Sequence, residues 1–178
     1  MELHNLKRRV SLYKEILENT VVYRQVWKDH LRDFIIQQLS GIVKAVELNA
    51  GIVGRAEMEN LEAIALSLGD GKSGLAEQVG ASRIKRPLIK NNGSLVYQQL
   101  FNGKVLVIIQ LPFIEGYGEP HPPKQIGIYR PEELTTPFII RHVEEFVKAI
   151  TEWEDYDDDE PASDQRIGFK LNFNKKEQ

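Results

Sequence analysis

The segment at residues 94–111 constrains the fold more than any other part of the sequence. It contains two apolar-rich runs, and Asn102-Gly103 separates them. Asn-Gly is the strongest short-range signal for a two-residue type I′ turn, because both residues tolerate the positive φ angles that this turn requires. The segment therefore predicts a β-hairpin in which Phe101 faces Lys104 across the turn.

The second strand of this hairpin is apolar at every position from 105 to 109. Successive side chains of a strand point to opposite faces, so this strand is apolar on both faces, unlike a strand that has one face in water. Burying one such aliphatic side chain is worth about 1.5–3 kcal/mol. We therefore predict that the strand lies centrally in its sheet, and that helices or a partner subunit cover both of its faces.

Three stretches have the residue spacing of amphipathic helices. Residues 2–18 carry apolar side chains three and four positions apart, namely Leu3, Leu6, Val10, Tyr13 and Leu17. A second helix is predicted at residues 21–40, after a break or cap at Asn19-Thr20, and a third helix begins at Thr136-Pro137. The apolar stripe of the first helix either packs on the chain's own core or forms a short coiled-coil seam between two copies.

Alternating and β-branched residues predict strands at residues 61–68, 94–101, 104–111 and 125–130. Residues 42–49 fit either a helix or a strand, residues 50–55 are typical of a turn region, and residues 69–93 are typical of loops with one short helical turn. The sequence thus predicts an α+β fold with an antiparallel sheet of four to five strands around the Asn-Gly hairpin. Two N-terminal helices and one C-terminal helix are expected to cover this sheet.

A single globular domain is predicted for residues 1–156, and a tail for residues 157–178. Acidic residues dominate positions 152–164, which contain no basic residue, and such blocks are usually solvated. Residues 167–173 then alternate apolar with smaller or polar side chains, so the tail is either disordered or adds as an edge strand, in cis or to a neighbouring copy. A small basic group at residues 83–86 is a candidate contact for the acidic run.

Composition and charge favour some functional classes over others. The chain has 178 residues, a net charge of −3 and no cysteine. The negative charge argues against a dedicated nucleic-acid-binding protein, and the lack of cysteine excludes disulfides, thiolate metal sites and a cysteine nucleophile within this chain. The charged N-terminal segment does not resemble a secretory signal, and no apolar run approaches the ~20 residues of a membrane helix. We expect a cytoplasmic protein that has no membrane segment.

The candidate functional site is the loop at residues 115–121, in which glycine and proline preclude regular structure. Its residues, with two supporting residues of the next strand, are Glu115, Tyr117, Glu119, His121, Tyr129 and Arg130. Carboxylates and an imidazole can transfer protons or bind a metal. No metal-ligand template matches, so no metal or cofactor is predicted. The alternative interpretation is a stiff connection whose polar side chains point into water.

Two further motifs do not support a specific chemistry. The sequence GDGKS at residues 69–73 resembles part of a phosphate-binding loop, but that motif needs a glycine where this chain has Leu66. His142 and Glu145 lie one turn apart on the last predicted helix, which is a spacing that can ligate a metal. Because apolar residues surround His142 in the sequence, we interpret it as a half-buried structural histidine.

The sequence contains no motif that assigns a reaction. The leading prediction is a small cytoplasmic interaction or ligand-binding domain that self-associates, most simply as a dimer, with an unidentified protein or small molecule as a further partner. The alternative is an enzyme of unknown reaction whose site lies in the loop at residues 115–121. Binding to nucleic acid is not expected, because the only basic cluster on the first helix is short, at residues 7–9.

Overall fold

A computed structural model of the chain describes residues 3–81 and 83–156. The elements in chain order are α1 (His4–Val26), a π-helical turn (Trp27–Leu31), α2 (Arg32–Ala45), β1 (Gly51–Arg55), β2 (Ala63–Ser67), β3 (Asp70–Gln78), β4 (Lys85–Asn91), β5 (Ser94–Gln99), β6 (Val105–Gln110), β7 (Phe113–Ile114), β8 (Lys124–Tyr129), a 3₁₀ turn (Pro131–Glu133) and α3 (Thr136–Glu154). The predicted tail at residues 157–178 lies outside the described residues.

The main sheet has five antiparallel strands in the order β1-β2-β5-β6-β8. The α+β class and the antiparallel sheet predicted from the sequence are thereby confirmed. One face of this sheet packs against α2 and α3 in a single core. Its fully buried side chains include Ile35, Leu39, Leu66, Leu95, Val107, Ile139 and Phe146.

The turn between β5 and β6 differs from the predicted two-residue turn. The strands pair with Gln99 opposite Val105, and the amide of Leu100 donates to the carbonyl of Lys104 at 2.8 Å. The loop therefore has three residues, and only Gly103 adopts a positive φ, of 78°. This geometry is that of a type I turn followed by a glycine bulge. The predicted register was wrong by one residue, so Tyr97 shares a face with Val105 rather than with Leu106.

Helices cover one face of β6 and not the other. Val105, Val107 and Ile109 on the core face are fully buried, whereas Leu106 and Ile108 on the other face are half-buried. The small cluster on that second face consists of Ala63, Ala65 and Val96 with Ile108, all of which belong to the sheet itself. We predicted that both faces of this strand would be covered. Within the described residues, helices cover only the face that carries Val105, Val107 and Ile109.

The N-terminal helical region runs from His4 to Ala45 without a break at Asn19-Thr20. The Thr20 hydroxyl donates to the carbonyl of Ile16 at 2.9 Å, so Thr20 bonds within the helix instead of capping a new one. The irregularity lies later, in the π turn, where Trp27 and Leu31 enter the core. No residue of α1 is buried, so α1 does not cover the sheet as predicted.

Residues 42–49 do not form a strand. The helix α2 continues to Ala45, and Glu47 then takes a positive φ of 54° that ends the helical path. The first strand is instead β1, at residues predicted as a turn region. It pairs along its whole length with β2, from Gly51 opposite Ser67 to Arg55 opposite Ala63. Pairing with an apolar neighbour therefore decided the conformation of this glycine-rich segment.

A second sheet of order β3-β4-β7 extends the main sheet into what we call the β-arm, defined as residues 70–91 together with β7. The strand pair β3–β4 continues the strand pair β2–β5. Two backbone hydrogen bonds connect them, from the amide of Leu68 to the carbonyl of Gly93 and from the amide of Asn92 to the carbonyl of Gly69. The loops and helical turn predicted for residues 69–93 are therefore wrong. The strands form because they continue two paired core strands, although their own sequence is rich in charge and glycine.

The chain bends at Gly93, where the β-arm leaves the main sheet. Gly93 has a φ of 90°, which a side chain would strain. A Cβ atom there would lie 2.7 Å from the carbonyl oxygen of Gln110 and 2.8 Å from Cδ1 of Ile150. Close contact with β6 and α3 thus explains a glycine at this position.

Candidate functional site

The loop at residues 115–121 folds partly onto the β-arm. The amide of Glu115 donates to the carbonyl of Ile89 at 2.9 Å, and Tyr117 closes a turn by donating to Ile114 at 3.0 Å. Glu115, Tyr117 and Glu119 are exposed, and His121 is half-buried. Among the described residues, no ion pair or hydrogen bond joins the side chains of Glu115, Glu119 and His121, and no group of three or more potential metal ligands is found.

Tyr129 and Arg130, the two supporting candidates, take part in other contacts. The ring of Tyr129 packs edge-on against Phe138, with centroids 5.8 Å apart, and its hydroxyl oxygen lies 3.1 Å from Nε2 of His142. Gly127 leaves room for this ring, because a Cβ atom there would lie 3.0 Å from it. The amide of Arg130 donates to the Glu133 carboxylate at 2.6 Å. These contacts connect both residues to α3 and the turn before it.

His142 is fully buried between two tyrosines, a more enclosed position than the half-buried one expected from the sequence. Its Nδ1 lies 3.2 Å from the hydroxyl of Tyr97, and its Nε2 lies next to the hydroxyl of Tyr129. A neutral imidazole has one donor and one acceptor, so one nitrogen donates to one hydroxyl and the other nitrogen accepts from the second. The three side chains satisfy one another inside an apolar core.

Burial shifts the pKa values of His142 and Tyr97 in this network. It lowers the pKa of His142 to about 4, with a smaller contribution from the positive charge of Arg141. Burial also raises the pKa of Tyr97 far above its ordinary value, and the neighbouring Tyr129 adds to this. His142 and Tyr97 are therefore neutral near pH 7. A hydrogen-bonded network without a carboxylate is suited to fixing α3 against β5 and β8.

A surface cleft of about 370 Å³ lies between the segment that follows α2 and the last turns of α3. Leu48, Leu68, Val147 and Ile150 make its floor apolar, and Glu154 and Asp155 stand at its rim. Neither this cleft nor a smaller one beside Glu115 is lined by Tyr97, His142 or Tyr129. Neither of these two clefts therefore opens onto the buried polar network.

Within the described part of the chain, the helix α1 presents a long exposed surface. Every position from 3 to 18 is exposed, a length of about 22 Å at 1.5 Å per residue. The exposed apolar side chains on this stretch are Leu3, Leu6, Val10, Leu12, Tyr13, Ile16 and Leu17. A helix of this length is marginal in water without packing of its apolar face. Exposed apolar stripes of this size mark interaction surfaces.

The seam residues predicted from the sequence lie within this exposed stretch. Leu6 and Leu17 are 56% and 49% exposed, which leaves roughly half of each side chain in water. Lys7, Arg9 and Lys14 flank the seam. The seam therefore has an apolar centre with basic edges.

Among residues 3–81 and 83–156, the contacts that hold α1 to the body lie near the C-terminal end of the helix. The β5–β6 turn lies against the helix, because a Cβ atom on Gly103 would come within 2.6 Å of Cβ of Tyr23 and 3.0 Å of the amide nitrogen of Arg24. The guanidinium of Arg24 donates to the carbonyl of Phe101. The helix before Thr20 thus projects from the body.

The β-arm is the second exposed feature, and sequence reasoning missed it. Its apolar side chains in contact with water include Leu75, Ile84 and Ile89, with Ile84 68% exposed. The only signal in the sequence was the basic group at residues 83–86, since the apolar and polar residues of β3 and β4 do not alternate clearly.

Comparison of the chain with protein-family models, with curated proteins and with solved structures found no significant match. None of the helices in the described part of the chain is both long enough and apolar enough to cross a membrane.

Proposed function

We propose that the protein is a small cytoplasmic interaction domain that self-associates, and that two copies pair through α1. One observation carries the proposal: no residue of this 23-residue helix is buried, although it presents a stripe of leucine, valine and tyrosine. Pairing would remove this stripe from water and stabilise a helix whose residues before Thr20 are not buried by the described part of the chain.

The spacing of the stripe favours a helical partner over a flat surface. Leu3, Leu6, Val10, Tyr13 and Leu17 occupy alternating a and d positions of a heptad repeat. Leu12 lies outside this seam, at a c position. Heptad positions interlock with the same positions of a second helix, and a second copy supplies an identical set.

The oligomeric mass tests the proposal. At tens of micromolar we expect a particle of twice the chain's 20.4 kDa in light scattering coupled to gel filtration. Leu6→Asp combined with Leu17→Asp places charge in the seam and should yield a monomer. The matched control is Leu12→Asp combined with Val22→Asp, which changes exposed apolar residues outside the seam and should leave the dimer intact.

A monomeric wild-type chain at these concentrations contradicts the proposal, as does equal dissociation by the two double variants.

A single charge reversal gives a second test, in which association should become tighter rather than weaker. In a pair of either orientation, Lys14 approaches a basic flanking residue of the other copy. Lys14→Glu should therefore tighten association at low salt, and weaker association in this variant would exclude pairing along the seam.

A further inference from the structure

We propose that the chain's own residues 157–173 dock in cis on the β-arm. In this arrangement the acidic residues 157–164 lie along the basic side chains of the arm. Residues 167–173 then add as a strand beside β3 and cover exposed apolar side chains. The proposal is independent of self-association through α1.

The charge of the β-arm opposes that of the whole chain. Residues 70–91 carry five basic and two acidic side chains, whereas the full chain has a net charge of −3. Arg86 pairs with Glu77 at 3.0 Å, and Lys90 pairs with Glu154. Among the described residues, no ion pair involves Lys72, Arg83 or Lys85. Residues 157–164 supply five acidic side chains and no basic one.

The described chain ends next to the arm. Lys90, at the root of the arm, forms an ion pair with Glu154 and lies 5.0 Å from the ring centroid of Trp153. The acidic run follows directly after Tyr156. Eight extended residues reach about 26 Å, and the part of β4 from Lys90 to Lys85 spans about 17 Å. The run is therefore long enough to follow the arm in cis, with the high effective concentration of a tethered segment.

The arm also fits the apolar part of the segment. β3 is one of the two edge strands of the three-stranded sheet, and Asp70–Gln78 is almost entirely exposed. Leu75, Ile84 and Ile89 place apolar surface in water beside it. The alternation of Ile167, Phe169, Leu171 and Phe173 puts four apolar side chains on one face of an added strand. An edge strand with such neighbours is otherwise an aggregation site.

A spin label tests the docking in the full chain. Since the protein has no cysteine, Ser163→Cys provides a single site for a nitroxide. We expect the amide NMR signals of residues 72–89 to be broadened at low ionic strength. The broadening should fall to the level of the reduced label at about 1 M salt, where the screening length is about 3 Å.

Charge reversals make the test specific. Arg83→Glu combined with Lys85→Glu gives residues 70–91 more acidic than basic side chains and should abolish the broadening. Arg8→Glu combined with Arg32→Glu removes the same charge from the helices and should leave it unchanged. Arg83, Lys85, Arg8 and Arg32 are exposed, so we expect both double variants to keep the fold.

Three results would overturn the proposal. The first is an absence of broadening on the arm of the labelled wild-type chain. The second is equal broadening in the arm-reversal variant and the helix-reversal control. The third is transfer of the broadening to an unlabelled, isotope-enriched chain mixed with the labelled one, which would assign the docking to a neighbouring copy.

Discussion

The two halves of the N-terminal helical region share one continuous backbone but have opposite environments. In α1 no residue is buried, whereas α2 buries Ile35 and Leu39 completely against the sheet. Both halves carry apolar residues at helical spacing, so spacing alone does not separate them. The difference shows that periodicity identifies a helix, while the surface presented by the rest of the chain decides whether that helix is packed.

The largest effect is expected where the packed half begins. Trp27 is fully buried, and its Nε1 donates to the Glu62 carboxylate at 3.0 Å. Trp27→Ala should lower the free energy of unfolding by about 3–5 kcal/mol. In the exposed half, Tyr13→Ala should change it by less than ~0.5 kcal/mol. Urea unfolding in the Leu6→Asp, Leu17→Asp background excludes a contribution from association. Similar losses in the two variants would show that both halves unfold as one unit.

Acid should destabilise the packed body of the protein through His142, which is fully buried on α3. Its folded-state pKa of about 4 is below the unfolded value of about 6.5, so the unfolded chain binds the proton first. Stability from this group is complete above pH 6.5 and is lost as the pH falls towards 4, by about 2–3 kcal/mol. Unfolding at several pH values measures the slope.

The control for this pH dependence is His142→Phe, which removes the titrating group and should flatten the slope between pH 6.5 and 4. The Leu6→Asp, Leu17→Asp chain should keep the wild-type slope, because its substitutions lie in the exposed half. An unchanged slope in His142→Phe would assign the acid sensitivity to other groups.

A smaller effect is expected at the boundary between the halves. Gly103→Ala combines a positive φ with a clash against the backbone of α1, so we expect a loss of about 2 kcal/mol. Gly118→Ala has a similar φ, of 75°, but no atom within 4 Å of the added Cβ. It should cost about 1 kcal/mol from the backbone alone. Thermal unfolding compares the two, and equal losses would mean that the turn does not hold the helix.

The smallest effect concerns helix propensity. Gly41 is an exposed position inside α2 with open space around it, so Gly41→Ala should raise the free energy of unfolding by about 0.5–1 kcal/mol. Ser11→Ala in α1 should leave that free energy unchanged, because residues before Thr20 can fray while the body stays folded. Urea unfolding measures both changes. A gain from Ser11→Ala equal to that of Gly41→Ala would contradict the independence of the two halves.

The parts of the fold that were predicted correctly have strong local signals. The alternation at residues 61–68 and 125–130 and the proline after Thr136 each mark an element that the structure contains. The β-arm and β1 lacked such signals, since glycine, proline and charge are unfavourable in strands. They form because neighbouring strands supply the hydrogen bonds, and this information is distant in the sequence.

The candidate site also depends on residues that are distant in the sequence. The sequence grouped Glu115 with Tyr129 and Arg130 because they follow one another along the chain. The contacts instead unite Tyr129 with Tyr97 and His142, which lie on three separate elements. No spacing rule predicts such a grouping, since only the packing of α3 on the sheet brings the three side chains together. The exposed stripe of α1 was visible in the sequence as a seam, and its partner remains the subject of our proposal.

The π turn at Trp27–Leu31 sets the rotation of α1 about its own axis relative to the body. A π turn holds about one more residue than an α turn, and each residue of an α-helix advances by about 100° around the axis. Deleting a single residue there would rotate α1 by that angle relative to the body, with no change in the sequence of α1 itself. The orientation of the exposed leucines relative to the body is thus set by the number of residues in this five-residue segment. An insertion or deletion there would turn the apolar stripe of α1 towards a different side of the molecule.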